Sequence, residues 1–292
     1  MDRADSQRVE AALTAQPRPV DARPVSPLNA ALIEAACAGQ LVGRKVVYKP
    51  QVGSTNCHAR RLATQGYPAG TVVTTDAQLG GRGRFGRVWH MRPSASIACS
   101  VILRPSLAPP DLARLGMAAA IAAVDTCRAC NVQVQVKWPN DIVLGEQKLG
   151  GVLSESALRG TDVRYVIVGI GLNVNDDFRD QPHLQASATS IQLATGRNAD
   201  RSAVLVRLLR ELDTWTAESR DPQTVLSAWA ARCATVGRSV TVHDAHSGHQ
   251  IATGLAIRLE ADGALIVRQG RGHVRRFGYA EVSVRHALSC TD

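Results

Sequence analysis

Apolar positions change period repeatedly along the chain, and each change marks an element. The β-branched runs at 45–48 and 71–75 predict strands, and between them Ser54 stands where an N-cap would open a helix over 55–65 that stops at Gly66. A mostly apolar run at 96–103 predicts a strand, and an Ala-rich stretch predicts a long helix over 110–130, packed through Leu112, Leu115, Ala119, Ala122 and Ala123. Strict alternation over 132–136 predicts a half-buried strand. Strands at 142–144, 149–155 and 163–174 and helices at 201–217 and 222–233 follow. After Gly237 the runs shorten. Segments 239–243, 249–259, 264–267, 273–277 and 282–284, separated by turns bearing Gly, Asp or Ser, predict a small all-β barrel.

Two stretches lack this periodicity. Residues 1–27 carry Pro17, Pro19, Pro24 and Pro27 and predict a flexible tail, followed by a short helix over 28–39. Residues 76–95, rich in Gly and Arg, predict a long loop, and loops of that length inside a compact domain are usually functional. The class expected is α+β: a Pro-rich tail and short helix at 1–44, a mixed α/β unit at 45–236 and a β module at 237–292.

Composition narrows the setting. The 292 residues suffice for one large domain or two moderate ones. The longest apolar run, 117–124, falls far short of the ~20 residues a membrane span needs, and no apolar leader follows the first residues. Seven cysteines, an odd number, predict reduced thiols and a cytoplasmic protein. The net charge of +9 first suggests nucleic acid. Residues 35–110, however, hold ten Lys/Arg and one acid, Asp76, whereas the rest of the chain holds 24 of each sign. The excess is local, so the anion handled there need not be a polymer. Eleven aromatics in all also argue against base-stacking platforms.

Chemistry-bearing residues concentrate in the same region. Gly81, Gly83 and Gly86 form a literal G-x-G-x-x-G, but nothing helical follows and no acid appears until Asp111, so a dinucleotide fold fails on context. What remains is a flexible loop carrying Arg82, Arg84 and Arg87, whose guanidinium forks suit phosphate or carboxylate oxygens. Lys137-Trp138-Pro139-Asn140-Asp141 ends the alternating strand, with Lys148 and the pair Gly150 and Gly151 shortly after; taken alone, that lysine reads more readily as a solvated hairpin residue than as a ligand contact. Gly53-Ser54-Thr55-Asn56 is a polar turn at a helix start, and Gly169, Gly171 and Asn173 interrupt and end a strand.

In order and spacing, Ser54-Thr55-Asn56, Gln78, the 81–87 loop, Trp89, the 137–141 segment, Lys148 to Gly151, and Gly169 to Asn173 resemble the biotin protein ligases. The resemblance runs from about residue 45 through the C-terminal module. It implies a mixed-sheet catalytic domain like that of class II aminoacyl-tRNA synthetases, followed by an SH3-like barrel. It also implies a two-step reaction: biotin attacks ATP to give biotinyl-5′-AMP, and a lysine of the biotin carboxyl carrier protein of acetyl-CoA carboxylase then displaces AMP. Biotin and ATP are thus the expected substrates, with Mg2+ accompanying ATP.

By the family pattern, Ser54, Thr55, Asn56 and Gln78 line the biotin ureido site, Arg82, Gly83 and Arg84 lie over the biotinyl and phosphate groups, Lys148 contacts the carboxylate and α-phosphate, and Gly151 belongs to the same biotin-binding set. Lys148, Arg82, Arg84 and Asp141 are the expected catalytic residues. Gly81, Gly86, Arg87, Trp89, Asn140 and Asn173 are assigned to the nucleotide and its loop. Asp141 is left between Mg2+ and the acceptor lysine. No firm metal ligand is assigned. Arg271, Arg275 and Arg276 stand between a docking patch for an acidic carrier and an ordinary solvated edge.

Some members carry an N-terminal winged helix and repress transcription. The short, nearly neutral stretch before residue 45 predicts a monofunctional enzyme without DNA binding, and a homodimer stays open. Cys127 and Cys130 read as core rather than zinc ligands, and Cys57, beside the turn, as modifiable. The alternatives are a lipoate or octanoate ligase of the same fold and a biotin-responsive regulator without turnover.

Overall fold

The computed structural model describes residues 27–245, 247–278 and 282–286. The expected tail at 1–27 therefore lies, but for Pro27, outside the described residues. The chain opens with helix α1 (Ala30–Ala36), strand β1 (Lys45–Val52), helix α2 (Thr55–Thr64), and strands β2 (Thr71–Gln78) and β3 (Ser96–Leu103). Helix α3 (Ala113–Ala129) and strands β4 (Gln135–Lys137), β5 (Asp141–Leu144), β6 (Gln147–Arg159) and β7 (Asp162–Asn173) follow. These strands form a seven-stranded sheet in the order β1-β2-β3-β7-β6-β5-β4, in which β1 and β2 run parallel and the other pairs antiparallel.

The sheet is covered unequally. Ile97, Cys99, Val101 and Leu103 on β3 face the main core, into which α3 sends an unbroken series of buried residues from Leu115 to Val124. On the opposite face, Ile102 and Ile167 pack beneath Ala59, Leu62 and Ala63 of α2. Alternation along β3 and β7 thus gives each strand two faces with different tasks. Helix α2 covers only one end of its face, and the uncovered end is where the site forms.

Four short or medium helices follow: α4 (Pro182–Gln185), α5 (Ile191–Thr195), α6 (Arg201–Glu218) and α7 (Pro222–Ala230). Strands β8 (Ser239–Asp244), β9 (Gln250–Leu259), β10 (Leu265–Arg268), β11 (Val274–Phe277) and β12 (Val282–His286) make a second, antiparallel sheet in the order β11-β10-β9-β8-β12. The expected α+β class and the small SH3-like β module are both observed.

Several boundaries differ from expectation for identifiable reasons. The alternating segment 132–136 pairs as a strand only from Gln135. Val132 and Val134 are buried as the pattern requires, but Val132 N–H closes the end of α3 on the Cys127 carbonyl and Asn131 adopts φ +62°. Strand β1 continues through Pro50 because it is a sheet edge, where a missing N–H is tolerated. Helices α4 and α5 are too short to show a period. The predicted long loop begins later, because β2 extends to Gln78.

Candidate active site

The uncovered end of the first sheet opens into a cavity of about 160 Å³. Its floor follows from the β3–β7 register, in which Ile102 faces Ile167, Ser100 faces Gly169 and Ala98 faces Gly171. The side chains shrink along this column, from a packed isoleucine pair to positions with almost no side chain. Space is left above Gly169 and Gly171, and two large groups use it. A Cβ at Gly169 would lie 2.1 Å from Asn56 Oδ1, and one at Gly171 would lie 2.6 Å from the Trp89 ring.

The polar end of the cavity is built at the start of α2. Ser54 occupies the N-cap position but makes no capping bond, contrary to its expected role. The Thr55 amide instead donates to Gln78 Oε1 at 2.8 Å, so the end of β2 satisfies the helix terminus. Thr55 Oγ1 lies 3.1 Å from the same oxygen and 2.8 Å from Ser100 Oγ. Asn56 Nδ2 donates to Glu155 Oε2 at 2.7 Å and the Leu153 carbonyl at 3.3 Å, while its Oδ1 lies 2.6 Å from Ser100 Oγ. Asn56 is therefore turned into the protein, with its amide engaged at both ends. The nearby His58 imidazole is held below its usual range by burial and by Arg61 and Lys49.

The Gly-Arg loop folds over the cavity as a small closed turn. Trp89 N–H donates to the Gly81 carbonyl, Gly83 N–H to Arg87 and Arg87 N–H to Arg84. Phe85 (φ +58°) and Gly86 (φ +72°) take the left-handed conformations that reverse the chain. Arg84 reaches Asn140 Oδ1 at 3.4 Å, and Asn140 Nδ2 donates to the Val152 carbonyl at 2.6 Å, joining the loop to the 137–141 segment.

Lys148 Nζ sits 2.5 Å from Asp141 Oδ1 and 5.8 Å from the Trp89 ring centroid. The β5–β6 register brings this pair together by setting Asp141 opposite Gly151, where a Cβ would stand 3.4 Å from Nζ. Asn173 holds the other side of the turn, donating from Nδ2 to the Lys148 and Thr189 carbonyls. The Trp89 indole N–H is buried without a hydrogen-bond partner. Among the described residues, Arg82, Arg84, Arg87, Lys137 and Lys148 line the cavity with a single acid, Asp141, five positive charges against one.

The structure thus brings Ser54, Thr55, Gln78, Arg82, Gly83, Arg84, Arg87, Trp89, Asn140, Asp141, Lys148 and Gly151 onto one cavity. Asn56 also touches it but faces inward. Gly81, Gly86 and Asn173 shape the surrounding backbone. Among the described residues, no cluster of three or more His, Cys, Asp or Glu could hold a metal ion. Cys127 is buried, its thiol pushed up by burial, in keeping with a core role; Cys57 is exposed. Arg275 and Arg276 are exposed, with Arg276 paired to Glu260, while the Arg271 side chain lies outside the described residues.

Sequence reasoning missed three contributors and, for Trp138, the part it plays within a motif already singled out. Ser100 and Glu155 lie behind the polar end. Trp138, buried, donates from Nε1 to the Gly263 carbonyl at 2.9 Å, and Val284 brings β12 to the cavity wall. A polar residue inside the apolar run 96–103 was the one available signal for Ser100.

The biotin/lipoate A/B protein ligase family matches residues 48–173 of this chain. The biotin--[acetyl-CoA-carboxylase] ligase of Paracoccus denitrificans is 34% identical over 227 residues, which cover 75% of this chain and 92% of that one. The bifunctional ligase/repressor BirA of Bacillus spizizenii is 39% identical over 174 residues, 58% of this chain and 53% of its own length. The chain thus spans about half the length of that repressor. A solved biotin protein ligase from Aquifex aeolicus, in complex with biotin and ATP, superposes with a TM-score of 0.70 at 24% identity, over 84% of this chain and 100% of that one. That likeness establishes the fold.

Proposed function

The chain belongs to the biotin/lipoate A/B protein ligase family, and from that premise we propose that it is an ATP-dependent ligase joining biotin to a lysine of the biotin carboxyl carrier protein of acetyl-CoA carboxylase. The observation that carries this reading is a cavity with two chemically opposite ends under one loop. One end presents the neutral polar groups of Ser54, Thr55 and Gln78, suited to a urea head group; the other presents Lys148 and the loop arginines, suited to carboxylate and phosphate.

Free biotin is a carboxylate with no leaving group. In the first step a carboxylate oxygen bonds to the ATP α-phosphorus, and the bond to the β-phosphate oxygen breaks, releasing pyrophosphate. In the second, the acceptor amine bonds to the acyl carbon, loses its proton, and AMP departs with the electron pair of the broken C–O bond. The first step gathers anionic groups at one place, so positioning under positive charge is the chemistry the protein has to supply.

On this reading Lys148 exchanges its contact with Asp141 for carboxylate and α-phosphate oxygens. Arg82 and Arg84 hold the anionic groups from above, and Trp89 closes the wall. Asp141, the one acid lining the cavity, is then released to serve ATP-borne Mg2+ or the incoming ammonium. A single carboxylate fits a metal delivered with the nucleotide and not one resident in the protein. Residues 45–236 would carry both steps, and residues 237–292 would complete the wall through Val284.

Exchange of labelled pyrophosphate into ATP tests the reading. We expect exchange that requires biotin. Biotin binding without exchange would mark a regulator, and exchange supported by lipoate or octanoate instead would move the substrate to that alternative.

A further inference from the structure

The polar end of the cavity contains a hydrogen-bond chain whose direction is set outside the cavity. It runs from Arg60 through Glu155, Asn56 and Ser100 to Thr55. Arg60 Nη2 contacts Glu155 Oε1 at 2.5 Å, and the other carboxylate oxygen, 2.7 Å from Asn56 Nδ2, can only accept. Together with the Leu153 carbonyl this fixes the Asn56 amide, with its nitrogen toward Glu155 and its oxygen toward Ser100. An amide oxygen also only accepts, so the single Ser100 proton is committed to it. The 2.8 Å contact between Ser100 and Thr55 must then carry the Thr55 proton, unless that proton lies on Gln78 Oε1 at 3.1 Å. In both arrangements Thr55 has no proton left for the cavity and presents lone pairs.

We propose that Glu155 and Ser100 are positioning residues that set the hydrogen-bond polarity of the head-group pocket, making Thr55 an acceptor for a ring N–H of the ligand. The inference rests on the reading that a urea head group occupies this end. The same chain fixes Gln78, whose Oε1 already receives the Thr55 amide, leaving its Nε2 to donate. A cyclic urea offers N–H donors beside one carbonyl, so it matches an acceptor set next to a donor. A carbamate ring with oxygen in place of the facing N–H would set lone pair against lone pair.

Glu155→Gln is the informative change because it alters polarity without altering shape. Arg60 would draw the new amide oxygen and the nitrogen would then face Asn56. The Asn56 amide would turn over to accept from it, held back only by its longer, 3.3 Å contact with the Leu153 carbonyl. Ser100 would regain a proton for Thr55, and Thr55 one for the ligand. The Glu155 side chain is 34% exposed, so the substitution leaves the core undisturbed.

The experiment compares kcat/KM for biotin with that for each of the two carbamate analogues, in which one ring N–H is replaced by oxygen, using pyrophosphate exchange. We expect the wild-type protein to reject one analogue by about 100-fold or more, as buried polar sites reject mismatched groups. Glu155→Gln and Ser100→Ala should each shrink that ratio at least about tenfold, with the KM for ATP unchanged within about twofold. A merely structural role would lower biotin and analogue together, so an unchanged ratio in Glu155→Gln overturns the inference. Absence of biotin-dependent exchange in the wild-type protein would instead overturn the reading on which it rests.

Discussion

At the scale of single residues, the site depends on atoms that are missing. Gly169 and Gly171 lie side by side on β7 beneath Asn56 and Trp89, and neither position has room for a methyl group. The new Cβ of Gly169→Ala would fall 2.1 Å from Asn56 Oδ1, which is pinned by Ser100 and cannot withdraw. We expect Gly169→Ala to cost about 1–3 kcal/mol in stability, the usual range for overpacking. The KM for biotin should rise at least about tenfold, the factor that 1.4 kcal/mol of lost binding corresponds to; thermal unfolding and exchange kinetics measure both. Lys148 makes a separate prediction. Lys148→Ala removes the positive charge closest to Asp141, and the rate of adenylate formation in a single turnover should fall by at least about 100-fold, comparable to loss of one preorganised donor at a charged transition state. A rate within about threefold of wild type would remove Lys148 from the mechanism.

Elements combine these residues, and at this scale the match between sequence and structure is uneven. Strand β3 has the bounds its apolar run predicts, and the five strands of the C-terminal sheet fall within a residue or two of their predicted ends, because periodicity and turn residues are local signals. The turn at 54–56, the Gly-Arg loop, and the Asp141 and Lys148 positions were also legible as motifs. Pairing across strands was not, since register is a long-range property. Nothing near Ser100 or Glu155 in sequence reveals that both reach Asn56, 44 and 99 residues away. The same reason hides the tie between Tyr48 on β1 and Asp76 on β2, which meet at 2.6 Å while Arg201 of α6 holds the other carboxylate oxygen. Burial and the Asp76 carboxylate push the Tyr48 phenol up to about 12. Because the unfolded chain releases that proton near its ordinary value of about 10, the folded state loses stability as pH rises from 10 toward 12. Chemical denaturation across that range should show a decline that Tyr48→Phe reduces; an identical decline in both proteins would contradict the assignment. The loop yields the corresponding kinetic prediction. Arg84→Ala breaks its link to Asn140, and the adenylate should escape faster while exchange continues.

Across the whole molecule, the local excess of +9 in residues 35–110 reaches the cavity through Arg82, Arg84 and Arg87, while the other basic residues of that window lie outside its lining. Lys137 and Lys148 join the loop arginines from outside that window, so strands β4 and β6 complete a charge distribution begun by the loop after β2. The C-terminal sheet closes the arrangement, and Trp138 is its fastener. Buried close to Asp141 in the chain, it donates from its indole to the Gly263 carbonyl and from its backbone amide to Thr235 Oγ1, each at 2.9 Å. Main-chain bonds between Val136 and both Arg232 and Ala234 tie the segment leading into β8 to β4, and Arg238 meets Glu146 at 3.0 Å. The junction therefore combines one large buried side chain with backbone pairing, while its ion pair is exposed and adds little. Trp138→Ala should cost about 3–5 kcal/mol, as truncation of a buried aromatic does. Trp138→Phe keeps the apolar bulk and loses only the indole bond, worth about 1 kcal/mol. The functional consequence separates the two ends of the cavity. Val284 lies on β12 and reaches the cavity only while the two sheets stay docked, whereas the polar end at Ser54 to Asn56 is built wholly from the first sheet and α2. Trp138→Phe should accordingly raise the KM for ATP more than that for biotin and increase hydrogen exchange in β9 and β10. Equal changes in both constants would show that the C-terminal sheet supports the whole cavity and not one end of it.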